Sequence, residues 1–113
     1  PKCPLTRCMS LLGGAWAPHV IWYLSAQPRR FGELRIDIPR ISARVLSQRL
    51  RELEAKGVVT RTVAPTTPPS TEYALSDLGR ELMPAIAAIV AVGRRLDDAP
   101  PAPRRSRRVP PAR

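Results

Sequence analysis

Residues 41–57, ISARVLSQRLRELEAKG, predict one amphipathic helix with its own start and stop signals. Ser42 suits the N-cap, because its hydroxyl accepts a hydrogen bond from a free amide of the first turn. Gly57 suits the C-cap, where glycine adopts the left-handed conformation without strain. The apolar face consists of Leu46, Leu50 and Leu53, with Val45 beside it.

The polar face of this helix carries side chains suited to recognising DNA. Arginine binds guanine bidentately, glutamine binds adenine, and serine both donates and accepts hydrogen bonds. Such residues recur at helical spacing opposite the leucines: Arg44, Ser47, Gln48 and Arg51. The same pattern is typical of any amphipathic surface helix in a basic protein, so the neighbouring elements have to distinguish a recognition helix from an ordinary surface helix.

Those neighbouring elements predict a winged helix-turn-helix, a mainly α-helical domain with a small β-hairpin. Apolar residues at helical spacing predict three preceding helices, in residues 5–12, 16–24 and 31–38. An alternating run at 58–63 and a return run at 72–75 predict the hairpin, with a proline-rich loop between them. A long last helix is expected to begin at Ser76 and to kink at Pro84. In this fold residues 41–57 are the recognition helix, which enters the major groove.

Composition narrows the function classes. The 113 residues suit one domain, and 19 Lys and Arg against 9 Asp and Glu give a net charge of +10. This excess favours a polyanionic partner. No apolar run reaches the ~18 residues that span a bilayer, so we expect a cytoplasmic protein without a membrane partner. The sequence lacks a glycine-rich phosphate loop and paired catalytic carboxylates, so neither enzymatic activity nor a cofactor is expected.

The composition changes after Leu96. Residues 1–96 are predicted to form the DNA-binding domain with its dimerisation helices. Residues 97–113, DDAPPAPRRSRRVPPAR, are expected to be disordered, because they bury too little apolar surface to offset the entropy of ordering them. The tail arginines either contact phosphates without specificity or only increase solubility.

The last helix has more apolar surface than one small domain covers. Residues 86–92, IAAIVAV, surround most of its circumference, and a helix that is apolar all round is buried. A second subunit is the cover that we expect.

Basic and polar residues outside the recognition helix are candidates for phosphate contacts. Arg61 and Thr66 belong to the wing, whereas Arg29, Arg30 and Arg40 flank the third helix. Charge and hydroxyl groups suit such contacts, which fix register without specifying sequence. For the wing residues a solvated turn is the alternative.

Several further motifs follow in unbroken order over residues 3–93. They are the Cys3-Pro4 pair, LLGGAW at 11–16, PRRFGELR at 28–35, ISARVLSQRLREL at 41–53 and LSDLG at 75–79. Together they resemble the HxlR-type family of MarR-like transcriptional regulators. The resemblance implies homodimers that bind double-stranded DNA and dimerise through the first and last helices. The residues expected at that interface are Leu5, Met9, Leu12, Ile86, Ile89 and Val90.

The same resemblance singles out a cysteine. In some members the cysteine of the N-terminal Cys-Pro pair senses electrophiles or oxidants, and Cys3 matches that position. Lys2 and the start of a helix favour its thiolate, while an inert cysteine at the dimer interface is the alternative. Cys8 lies on the apolar face of the first helix and is expected to be a small core residue. Cys3, Cys8 and His19 lack the paired spacing of a structural zinc site, so no metal is expected.

The sequence therefore predicts a sequence-specific transcriptional regulator that acts as a homodimer on a pseudo-palindromic operator. Arg44, Gln48 and Arg51 are expected at base edges. Ser42, Ser47, Arg61, Thr66 and Arg30 are expected in supporting or phosphate contacts. The resemblance leaves open whether the effector is a small molecule or an electrophile. The alternatives are a dimeric interaction module without sequence-specific DNA binding and a thiol redox protein that uses Cys3.

Overall fold

The computed structural model describes residues 3–98, which form six helices and three strands. In chain order these are α1 (Pro4–Leu11), α2 (Ala17–Ala26), β1 (Arg29–Arg30), α3 (Phe31–Asp37), α4 (Ala43–Ala55), β2 (Val59–Ala64), β3 (Ser70–Leu75), α5 (Asp77–Glu81) and α6 (Met83–Asp98). Helices α3 and α4 form the helix-turn-helix, and β2 and β3 form the wing. The predicted fold class, a winged helix-turn-helix, is confirmed.

The sheet has one strand more than the predicted hairpin. Its order is β1-β3-β2, and both pairings are antiparallel. Tyr73 of β3 lies opposite Arg61 on one side and Arg29 on the other. The short strand β1 therefore ties the start of α3 to the wing.

The core is one cluster in which α4 packs with α2, α3 and the base of the wing. The predicted apolar face of α4 lies in it, since Leu46, Leu50 and Leu53 are each at most 2% exposed. Burying one such side chain stabilises a fold by roughly 1.5–3 kcal/mol. This packing orients the opposite face of α4 toward solvent.

Local signals define the ends of α4. The Ser42 Oγ accepts a hydrogen bond from the backbone amide of Val45 at 3.1 Å. At the other end the C-cap is Lys56 and not the predicted Gly57, which follows it with a φ of 80°, a conformation that favours glycine.

The predicted last helix is two helices. Because Pro84 has no amide proton, it cannot donate to the carbonyl one turn earlier. The first helix ends at the C-cap Leu82, and α6 begins at Met83. Helix α6 runs to Asp98, two residues past the expected boundary at Leu96. The rest of the predicted tail, residues 99–113, lies outside the described residues, as does Lys2.

Two predicted residue environments are wrong. Cys8 is exposed and not a core residue, because α1 packs no residue fully against the rest of the chain. Ile86 is 3% exposed and lies in the core of its own domain, so it offers no surface to a partner. Between residues 3 and 98, no helix has the length and apolar character needed to cross a membrane.

Candidate nucleic-acid interface

The structure places the predicted recognition residues on the open side of α4. Arg44, Gln48 and Arg51 are exposed, and Ser47 between them is half-buried. Within residues 3–98, neither Arg44 nor Arg51 has a side-chain hydrogen bond or an ion pair. Two guanidinium groups are therefore free to bind base edges or phosphates.

A cleft of about 350 Å³ separates α4 from the wing. It is lined by Ser47, Arg51, Glu54, Arg61 and Tyr73. The Arg61 Nε lies 3.6 Å from the Glu54 Oε1, and both side chains are more than 40% exposed. An exposed pair of this kind contributes at most about 1 kcal/mol, so a DNA phosphate can compete for Arg61.

The other predicted phosphate contacts differ in their availability. Arg30 is exposed at the start of α3. Thr66 is exposed in the wing loop, but its hydroxyl donates to the carbonyl of Pro68 at 2.8 Å, so it faces DNA only as an acceptor. The Ser42 hydroxyl, although exposed, already accepts the hydrogen bond that caps α4.

Arg29 is a structural residue and not a free phosphate contact. Its Nε and one terminal nitrogen each donate to a carboxylate oxygen of Asp37 at 3.0 Å, and both side chains are at most 20% exposed. The hydrogen bonds that Arg29 donates to the Asp37 carboxylate raise the pKa of Arg29 above its ordinary value. This bidentate pair ties β1 to the last residue of α3.

Two long side chains at the recognition helix, which sequence analysis missed, hold the end of α1 and the segment that follows it. The Arg49 Nε donates to the carbonyl of Ala15 at 2.8 Å, and the Lys56 Nζ donates to the carbonyl of Ser10 at 2.6 Å. The partners lie 34 and 46 residues apart in the chain, so no local spacing predicts them.

Large apolar side chains are exposed on α6 and on α1. On α6, Ile89, Val92 and Leu96 are 62%, 50% and 71% exposed, and they line a groove of about 400 Å³. On α1, Leu5 and Met9 are 67% and 55% exposed. Of the predicted dimerisation residues, Leu12 and Val90 are half-buried against the core. Sequence analysis included Val92 in the apolar run 86–92 but not among the interface residues, and it missed Leu96, although the spacing from Ile89 places all three on one helix face.

Cys3 is exposed at the N-terminus of α1. The pKa of its thiol is lowered from the ordinary value, first by the backbone amide of Thr6 and then by that of Leu5, although no standard cap hydrogen bond forms. Both amides are at the helix N-terminus, where the unpaired N–H groups favour a negative charge. Because only the thiolate is nucleophilic, Cys3 has the environment of a reactive cysteine.

We expect the alkylation rate of Cys3 to rise with pH along a curve whose midpoint lies below that of the same cysteine in the unfolded chain. The reason is that folding brings the Thr6 and Leu5 amides to the sulfur, and unfolding in urea removes them. Pulse labelling with iodoacetamide, read by mass spectrometry, measures both curves. A Cys3→Ser variant corrects for labelling at Cys8. Coincident midpoints would contradict the expectation.

A family model, a relative in sequence and two solved structures all match the described domain. The family model of the HxlR-like helix-turn-helix matches residues 11–99. YdeP, an HTH-type transcriptional regulator of Bacillus subtilis (strain 168), is 36% identical over 96 residues, which cover 85% of this chain and 75% of YdeP. The oxidised form of the redox regulator HypR matches with a TM-score of 0.79 and 35% identity, over 82% of this chain and 96% of that one. Diamide-treated YodB from B. subtilis matches with a TM-score of 0.70 and 36% identity, over 83% and 94%.

Proposed function

The chain belongs to the HxlR-like helix-turn-helix family of transcriptional regulators, and from this premise we propose that it binds a pseudo-palindromic DNA site sequence-specifically as a homodimer. The observation that carries the proposal is the free polar face of α4. Arg44 and Gln48 lie there exposed, while the leucines of the same helix are buried.

The geometry of α4 supports base recognition by this face. Arg44 and Arg51 are two turns apart, which is about 10 Å along the helix axis, or roughly three base pairs. Arg44, nearer the helix N-terminus, and Gln48 suit base edges in the major groove. Arg51 shares the cleft with Arg61 of the wing, a position that suits the sugar-phosphate backbone.

A second copy of the chain is the partner that the exposed apolar face favours. Ile89, Val92 and Leu96 on α6 and Leu5 and Met9 on α1 remain exposed in one protomer. Exposed apolar residues in such a row mark an interaction surface. In a two-fold dimer the same surface of each copy covers the other, and two recognition helices address two half-sites.

Regulation through a thiol has better support than regulation through a small molecule. Cys3 is exposed with a lowered pKa, and HypR is a redox regulator. The pocket between α2 and α6, lined in part by Trp22 and Tyr23, measures about 170 Å³. This volume is below the ~300 Å³ at which ligand pockets begin. We therefore propose an oxidant or electrophile as the effector.

The proposal is tested by selecting bound duplexes from a random pool at two salt concentrations. We expect an inverted repeat to be enriched at both concentrations. Binding that is uniform across sequences and collapses with salt would contradict sequence-specific recognition, since it would reflect counterion release alone. That result would favour the alternative of an interaction module whose basic surface serves solubility.

We expect Arg44→Ala and Gln48→Ala each to weaken binding to the selected site by about 1–3 kcal/mol and to relax its specificity. Each substitution removes one set of hydrogen bonds to a base edge. Titration of the selected duplex and of a random duplex measures both effects. Arg80→Ala, at an exposed arginine on α5, controls for lost charge. Equal losses on both duplexes would contradict base recognition and leave only a charge effect.

A further inference from the structure

Arg49 differs from the other arginines of α4 because its side chain is only 15% exposed. Its Nε donates to the carbonyl of Ala15 in the segment between α1 and α2, at 2.8 Å. One terminal nitrogen donates to the Glu52 Oε1 at 3.1 Å. A guanidinium group that donates to both Ala15 and Glu52 is not free to bind DNA.

The hydrogen bonds continue from Arg49 to the proposed base-recognising face. The second carboxylate oxygen of Glu52, Oε2, accepts a hydrogen bond from the Gln48 Nε2 at 3.4 Å. Because the Glu52 carboxylate can only accept hydrogen bonds, the Gln48 amide turns its NH2 group toward Glu52. One N–H proton and the amide oxygen remain for adenine, which offers one acceptor and one donor in the major groove.

Gly14 leaves room for this arrangement. A Cβ at Gly14 would lie 2.7 Å from the Arg49 Nε and 2.9 Å from its Cζ. Gly14 also has a φ of 89°, which favours glycine. The guanidinium group therefore packs against the backbone of Gly14, and this packing fixes its position.

We propose that Arg49 is a positioning residue for base recognition, acting through Glu52 on Gln48. The inference rests on the proposed function. Arg49 neutralises the Glu52 carboxylate and holds it beside the Gln48 amide. Without Arg49 the carboxylate is uncompensated next to a phosphate-rich groove, and Gln48 is free to adopt other rotamers. Lys56 still ties α4 to Ser10, so the helix itself keeps its place.

The test measures discrimination rather than affinity alone. For each variant, the dissociation constant is determined for the selected duplex and for a duplex altered at the base pair that Gln48 recognises. We expect Arg49→Gln to reduce the ratio of the two by about tenfold. Any loss of affinity that the uncompensated Glu52 carboxylate causes on all DNA weakens binding to both duplexes alike and therefore cancels in the ratio. The matched control is Arg80→Gln, which should leave the ratio unchanged.

A double-mutant cycle separates positioning from a general structural role. If Arg49 acts through Gln48, then Arg49→Gln has little further effect on the ratio in a Gln48→Ala background. Arg49→Lys restores one of the two donations and should give an intermediate ratio. Circular dichroism establishes that each variant is folded at the assay temperature, and Arg49→Lys carries the test if Arg49→Gln does not fold.

The possible failures are distinguishable. If the original chain itself does not discriminate between the duplexes, the proposed function fails and this inference fails with it. If the original chain discriminates but the Arg49 variants keep its full ratio, only this inference is overturned. An equal loss with and without Gln48 also overturns it, because Arg49 would then act through the fold in general.

Discussion

Gly79→Ala is expected to lower the free energy of unfolding by about 3 kcal/mol, at the upper end of what overpacking usually costs. Gly79 is a buried residue of α5. A Cβ there would overlap the carbonyl oxygen of Val58 and would lie 3.0 Å from a side-chain carbon of Leu75. The first of these neighbours is backbone, which cannot rotate away as a flexible side chain does.

The carbonyl of Val58 is held in place by Ser76, the N-cap of α5. The Ser76 amide donates to it at 3.0 Å, and the Ser76 Oγ lies 2.9 Å from it. The same Oγ accepts a hydrogen bond from the Gly79 amide at 3.1 Å. A shift that relieves the overlap therefore also disturbs the helix cap and the start of the wing, so we expect little relaxation.

Thermal unfolding at one fixed protein concentration measures the effect, and about 3 kcal/mol corresponds to a fall in Tm of more than about 10 °C for a domain of this size. Gly32→Ala is the matched control, because Gly32 is an exposed glycine of α3 with nothing within 4 Å of its Cβ position. It should leave stability unchanged or raise it by up to about 1 kcal/mol. If Gly79→Ala also stayed within 1 kcal/mol of the original chain, α5 would be able to move away from the Val58 carbonyl at little cost, contrary to the expectation.

The elements set by local chemistry were predictable from the sequence. The ends of α4 follow from the Ser42 hydroxyl and the conformational freedom of Gly57, and its faces follow from helical spacing. The wing follows from alternation and from prolines that exclude regular structure between its strands. Pro84 marked the right place in the last helix but predicted a kink where the helix ends and restarts.

The rest depends on residues that are distant in the chain. Nothing near Arg29 or Arg49 in the sequence distinguishes them from the free arginines, because Asp37 and Ala15 become their partners only through the fold. Cys8 was assigned to the core from helical spacing alone. Spacing shows that a helix has an apolar face, but it does not show whether the same protomer covers that face.

The uncovered face leads to the second large effect: Ile89→Asp is expected to convert the proposed dimer to a monomer. Ile89 is 62% exposed on α6, at the start of the apolar face that continues through Val92 to Leu96. In a two-fold dimer both copies of the new carboxylate enter the interface. Burying each ion without a partner costs several kcal/mol, and the like charges repel.

Loss of the dimer is expected to change DNA binding in a characteristic way. A dimer binds the second half-site intramolecularly, which raises its affinity for the whole site about 100-fold or more over one half-site. We therefore expect the Ile89→Asp chain to bind an inverted repeat no more tightly than an isolated half-site. The only difference expected is a statistical factor of two, because the repeat contains two half-sites. This comparison is made within one variant, so the charge that the aspartate adds cancels.

Sedimentation equilibrium and titration of the two duplexes measure both effects. Ile36→Asp is the matched control, since Ile36 is 78% exposed and belongs to α3 rather than to α1 or α6. It places the same charge on the protein and should leave the dimer and its preference for the inverted repeat intact. A dimeric Ile89→Asp chain would exclude this α6 face as the dimer interface. A monomer that still preferred the inverted repeat 100-fold would instead separate dimerisation from operator recognition, because α6 would then not be what brings two recognition helices onto one site.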